Sequence, residues 1–225
     1  MKNIKTCLII VAIFSLLASI LAQEDTSVRE CEIDQQAFYS GTPSLETKRL
    51  RLRQINLDDA EAMFAFTCKP EVETWDPIDK TIDDTKIFIE SLQKKYEARE
   101  PSLWGIVDKQ TNKLIGYAGF TYFQPSHSIV ELEYALDVPY WNQGIMPEAL
   151  AAILSYSFNT LKINRILAFV ALNNQRSENL LLKIGMRFEG HHREAGYSCG
   201  RFRDLKSYAL LRQEYLKQQT KNNKQ

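Results

Sequence analysis

The run SIVELEYALDVPYWNQGIMPEALAAILSYSFNTL, residues 128–161, constrains the fold more than any other part of the chain. Its first part carries Ile129, Leu132, Tyr134 and Leu136 with acids among them, which predicts a strand. Its last part sets Met146, Leu150, Ile153, Leu154, Phe158 and Leu161 at spacings of three and four, the apolar face of a helix. Gly144 stands between the two, flanked by polar, uncharged side chains. Pro147 suits a first helical turn. A strand that turns through glycine into a helix presents backbone N–H groups at the helix mouth. Such a mouth suits an anion, phosphate above all.

The remaining pattern predicts a mixed α/β domain. KRLRLRQI at 48–55 alternates like a strand. NLDDAEAMFAFTC reads as a helix with Asn56 at its N-cap, and TIDDTKIFIESLQKKYEARE as a second, longer one. SLWGIVDKQTNKLIGYAGFTYF is a hairpin turning near Thr111 and Asn112. RILAFVAL is short and apolar, as expected for a strand buried on both faces. NQRSENLLLKIG starts at an Asn and ends at Gly185, a C-cap glycine. MRFEGHHREA and RFRDLKSYALLR supply two last strands. In such an order the ligand belongs where central strands give way to helices.

The chain ends differ from this body. MKNIK is basic, TCLIIVAIFSLLASILA runs apolar without a charge, and small residues lie near Ala18 to Ala22. These are the marks of a signal peptide over residues 1–22, cleaved after Ala22 or kept as an anchor. Export across a membrane is the expected route, with a cytoplasmic chain the alternative. Residues 23–46 are expected to form a polar linker, 47–214 the domain and 215–225 a polar tail. About 200 residues past the leader suffice for one core. Lys plus Arg and Asp plus Glu both total 28, so charge gives no case for nucleic acid. A membrane partner is expected only through an uncleaved leader, and oligomeric state is left open. Cys31, Cys68 and Cys199 are odd in number and widely spaced, with no C-x-x-C pair. With His127, His191 and His192 read as surface residues, no metal site is expected.

A second motif follows the first by about 30 residues. In NQRSENLLLKIGM, Asn174, Ser177, Leu180, Leu181, Lys183, Gly185 and Met186 keep fixed offsets. Together with YWNQGIMPEAL, this resembles the GNAT superfamily of N-acetyltransferases in its RimJ/RimL-type branch. The resemblance runs over residues 47–213. It implies a GNAT fold, with about seven strands in a mixed central sheet, helices on both faces, and central strands splayed at an acetyl-CoA site. Two positions depart from the superfamily's broader pattern, Trp141 for a common Gln or Arg and Met146 for a common Gly or Ala.

The resemblance also implies roles. Gln143, Gly144, Ile145 and Met146 would wrap the coenzyme pyrophosphate through main-chain N–H groups, so no lysine is needed there. Leu136 would lie at the coenzyme from the strand end. Asn174, which is also an N-cap, would lie beside the pantetheine arm. Ser177 would bond the coenzyme sulfur and protonate the departing thiolate. Lys183 and Arg176 would reach phosphates or simply be solvated. Acetyl transfer to a primary amine, on a protein N-terminus or a small molecule, then needs a base. Glu131 and Glu133 share one side of a strand by alternation. The family's acid falls at Glu131 and a small residue at Glu133, so Glu131 is the expected base. Glu194 is a second candidate in a looser register. Tyr134 and Trp75 are expected chiefly as core aromatics. A non-catalytic coenzyme A-binding module on the same fold is the competing reading.

Overall fold

The computed structural model describes residues 39–72, 81–198 and 200–222. The leader, Cys31, Trp75 and Cys199 lie outside the described residues.

Eight strands form one sheet in the order β1-β2-β3-β4-β5-β6-β8-β7. They are β1 (Leu45–Glu46), β2 (Leu50–Arg53), β3 (Leu103–Asp108), β4 (Lys113–Gln124), β5 (Ile129–Leu136), β6 (Arg165–Ala171), β7 (Arg187–Ser198) and β8 (Arg201–Leu211). Every neighbouring pair is antiparallel except β5 and β6, which run parallel. The count exceeds the expected seven because Leu45–Glu46, assigned above to the linker, pairs with β2. Thr47 makes that hairpin: its N–H donates to Leu50 O at 2.9 Å, and its Oγ1 accepts from Leu50 N at 2.9 Å.

Two helices cover one face. α1 (Ala60–Thr67) follows a 3₁₀ turn capped by Asn56, whose side chain accepts from Asp58 N. α2 (Ile82–Glu97) opens with a reciprocal capping box between Thr81 and Asp84. Met63, Phe66, Ile89 and Leu92 bury against Leu103, Val107 and Tyr117 of the sheet. The other face is covered by α3 (Ile145–Ser155), whose Ile145, Met146, Ala149, Leu150, Ile153 and Leu154 all enter a core with Trp104, Phe120 and Val130. α3 widens into a π turn at Tyr156–Thr160. α4 (Gln175–Lys183) adds Leu181 to the same core.

Two expectations are corrected. The segment assigned to a polar tail forms most of α5 (Arg212–Asn222). A single aromatic anchors it, since Tyr215 is buried and stacks on Phe158 with ring centroids 4.8 Å apart. β6 is not buried on both faces: its residues alternate, and Phe169 is 41% exposed. Phe169 and Ala171 of its less buried face line a cleft.

Candidate active site

The cleft begins where one ladder stops. β5 and β6 pair at Ile129↔Arg165, Val130↔Ile166 and Glu131↔Leu167. Beyond that, β5 stays with β4 up to Leu136↔Gly116, and β6 stays with β8 up to Ala171↔Leu205. The two parallel strands therefore diverge. Their facing backbone groups beyond Glu131 and Leu167 are not used by this ladder, and buried backbone groups need partners. The wedge widens into a cleft of about 1110 Å³. Residues from β5, β6, α3, α4 and β7 line it.

One end of the cleft is a helix start, a place that favours anions. Gly144 is the N-cap of α3 and sits at φ 72, ψ 12, in the left-handed region that glycine enters without penalty. The first turn of α3 thus faces the cleft, with Gly144, Ile145 and Met146 in its wall. The turn is held from outside. Arg49 Nη1 donates to Gln143 O at 2.9 Å, and Arg49 Nε donates to Glu148 at 2.6 Å. The Glu148 carboxylate also accepts from Thr47 Oγ1 at 2.6 Å and from Arg49 N at 2.8 Å. Trp141 Nε1 donates to Leu136 O at 2.7 Å, which fixes the strand end against the loop. Across the cleft the Arg176 guanidinium lies 3.4 Å from the centre of the Trp141 ring, a cation–π contact. Asn174 caps α4, its Oδ1 accepting from Ser177 N at 3.1 Å. Lys183 lines the cleft from the last turn of α4.

α4 is pinned by a buried acid that the motif reading passed over. Glu178 accepts from Lys206 Nζ at 2.7 Å and from Tyr208 Oη at 2.9 Å, both on β8. The hydrogen bond from Lys206 holds its carboxyl below the ordinary carboxylate range. α4, and with it Asn174 and Ser177, is thereby tied to the strand that carries the far wall.

The other end holds acids and hydroxyls. Glu131 and Glu133 both line the cleft, as strand alternation predicts. Burial raises the carboxyl pKa of each. The neighbouring Glu133 charge raises Glu131 further. For Glu133, hydrogen bonds from Tyr117 and Thr121 pull the other way, Tyr117 Oη standing 3.1 Å from Oε1. Thr121 is placed there by a break in register between Phe120 and Tyr122 opposite β5. Tyr134 Oη and Ser177 Oγ lie 2.6 Å apart, so the two walls meet at these hydroxyls. Burial pushes the Tyr134 hydroxyl up to about 12, which keeps it protonated at neutral pH.

The structure thus brings Glu131, Leu136, Gly144, Ile145, Met146, Asn174, Ser177 and Lys183 to one cleft. Gln143 is in the same turn but not in the cleft wall, because its side chain folds back to donate to Pro139 O at 2.6 Å. Glu194 is exposed and outside the wall, while its neighbours Ala195 and Gly196 are in it. Tyr134 is the residue that sequence reasoning undervalued. Its signal was the hydroxyl on an otherwise apolar strand end, and its partner lies 43 positions away. Among the described residues, no group of three or more His, Cys, Asp or Glu could hold a metal ion.

A sheet split between parallel strands, with a glycine-headed helix at one end of the split and carboxylates at the other, defines the GNAT class of N-acetyltransferases. Comparison with known proteins agrees. The profile of the Acetyltransferase (GNAT) domain family matches residues 49–187. The uncharacterized N-acetyltransferase YoaA of Bacillus subtilis is 34% identical over 172 residues, covering 76% of this chain and 97% of YoaA. The [ribosomal protein uS5]-alanine N-acetyltransferase of Escherichia coli is 25% identical over 74% of this chain and 91% of its own length. Among solved structures, an acetyltransferase (GNAT family) from Bacillus anthracis superposes with a TM-score of 0.68 at 27% identity, over 76% of this chain and 99% of that one. The chain belongs to the GNAT acetyltransferase family, and the uS5-alanine relative supports the RimJ/RimL-type branch.

Proposed function

We propose that this enzyme transfers the acetyl group of acetyl-CoA to a primary amine by direct attack. One observation carries the reading: the same wedge between β5 and β6 joins the Gly144 turn at one end to Glu131 at the other. The Gly144 turn and Arg176 suit the coenzyme's phosphates, and Asn174 and Ser177 suit its thiol arm. Acetyl-CoA supplies a thioester whose carbonyl carbon takes the amine. Glu131 accepts the amine proton, directly or through water. A raised pKa suits that task, since it makes the carboxylate a stronger base. A backbone N–H of β5 beyond the paired segment receives the negative oxygen. The Ser177 hydroxyl returns a proton to the leaving sulfur and is reprotonated through Tyr134 Oη, 2.6 Å away, which takes a proton back from solvent.

The acceptor is a protein N-terminus or a small amine. The uS5-alanine relative supports the first. The test is thiol release and mass gain over a panel of N-terminal peptides and small amines, alongside calorimetry with acetyl-CoA. Binding with turnover on at least one amine is the expected result. Absence of binding sinks the proposal. Binding without turnover on any amine favours a non-catalytic coenzyme A module.

A further inference from the structure

The far wall of the cleft is a distorted strand, and one carboxylate holds the distortion. β7 and β8 pair His192 with Leu205 and then Gly196 with Arg203. Three residues of β7, Arg193, Glu194 and Ala195, thus stand opposite the single residue Asp204. Glu194 takes φ 51, a left-handed conformation that a non-glycine residue adopts only under constraint. Asp204 supplies the constraint. Its Oδ1 accepts from Glu194 N at 2.9 Å, and its Oδ2 meets His191 Nε2 at 2.7 Å. The bond from the Glu194 backbone is the main reason the Asp204 carboxyl sits below its ordinary range.

The bulge has a consequence in the cleft. A bulge bends its strand and re-aims the residues beside it. Here His192, Ala195, Gly196 and Tyr197 line the same cleft as Glu131 and Glu133 of β5. Next to the bulge, His192 Nε2 contacts Ser207 Oγ at 2.7 Å, and its ring meets Phe169 of β6 edge-on with centroids 5.8 Å apart.

We infer that Asp204 is a positioning residue that holds the Arg193–Ala195 bulge in place and thereby sets the wall against which the acceptor amine binds. Asp204 itself is not in the cleft wall. The inference rests on the acetyltransferase reading for the word acceptor, but the geometry of the bulge does not.

Two measurements on the full chain test it. Hydrogen exchange without substrate reads the bulge, and steady-state kinetics with one turned-over amine reads the wall. Asp204→Ala should speed exchange across residues 191–198 and raise KM for the amine about tenfold, with kcat and acetyl-CoA affinity within about threefold. Asp204→Asn, which keeps an acceptor for Glu194 N, should raise KM only about threefold. A general loss of structure would instead lower kcat and coenzyme affinity together. Unchanged exchange and unchanged KM in Asp204→Ala overturn the inference. If the alanine variant does not fold, an asparagine variant with wild-type exchange and KM overturns it. A wild-type protein that acetylates no amine sinks the acetyltransferase reading and the acceptor role with it. In that case exchange alone decides whether Asp204 holds the bulge.

Discussion

Gly144→Val tests the coenzyme end of the cleft most directly. Gly144 sits at φ 72, ψ 12. A Cβ added there would meet only Arg49 Nη2 at 3.6 Å, an ordinary contact with the far end of a side chain. Space is therefore not the obstacle, and the cost is conformational. An L-residue in the left-handed region carries about 1–2 kcal/mol of strain, and a β-branched one more. A loop that keeps its shape loses that much stability, and each kcal/mol lowers Tm by roughly 2–4 °C in a domain of this size. A loop that relaxes turns the first N–H groups of α3 away from the cleft. Binding must then restore the turn, and about 1.4 kcal/mol of restoration is a tenfold loss of affinity. Gly144→Val is expected to weaken acetyl-CoA binding at least about tenfold, and Gly144→Ala about three- to tenfold. Calorimetry gives the affinity, and thermal unfolding of the same samples separates it from global damage. A folded valine variant with wild-type affinity refutes the reasoning, whatever its Tm, because the turn would then not contact the coenzyme.

The remaining predictions concern the acids, the hydroxyls and the leader. Glu131→Gln should lower kcat by about 10² to 10⁴ with little change in coenzyme affinity; wild-type turnover would move the base elsewhere. Glu133→Gln removes a charge that raises the Glu131 pKa, so the acidic limb of the kcat/KM profile should shift to lower pH. A limb that stays in place or shifts upward means that the limb does not report Glu131. Ser177→Ala and Tyr134→Phe should each slow turnover about tenfold, the order of one hydrogen bond to a reacting group; burst kinetics can localise the loss to thiol release. Glu178→Ala strands the buried Tyr208 hydroxyl and should cost about 1–3 kcal/mol in urea unfolding. Because the Glu178 pKa is lowered on folding, its contribution is present above the ordinary carboxylate pKa and fades as pH falls through the folded value. The leader pattern predicts an exported chain beginning at Gln23, and N-terminal sequencing that finds Met1 on a soluble cytosolic form refutes it.

Local signals in the sequence were strong where one element decides the outcome. Gly144 and Asn174 mark helix starts, and a helix start fixes its own N–H groups, so both positions could be placed without knowing the rest of the fold. Alternation put Glu131 and Glu133 on one side for the same reason. What escaped depends on distant partners. Tyr134 differs from a core tyrosine only in having Ser177 within reach. The apolar look of β6 suggested burial on both faces, yet its outer face borders an open wedge, and hydrophobicity does not tell a helix from a substrate. α5 read as a polar tail because a lone Tyr215 on a polar segment gives no periodicity, and its worth lies in Phe158, far away in sequence. The bulge at Glu194 left no signature, since its constraint, Asp204, sits on another strand.

The three residue pairs that join β5 to β6 also bear on how the molecule is built. β1 to β5 lie side by side in chain order and all end by Leu136, so that half of the sheet belongs to the earlier part of the chain. β6 can return alongside β5 only after the whole of α3 has been made, as a parallel pair requires a crossover. During synthesis the seam between the halves is therefore a late event. A chain emerging from the ribosome can hold a nearly complete five-stranded half before any coenzyme pocket exists. The pocket appears only when the second half docks, so catalytic competence reports completion of the fold.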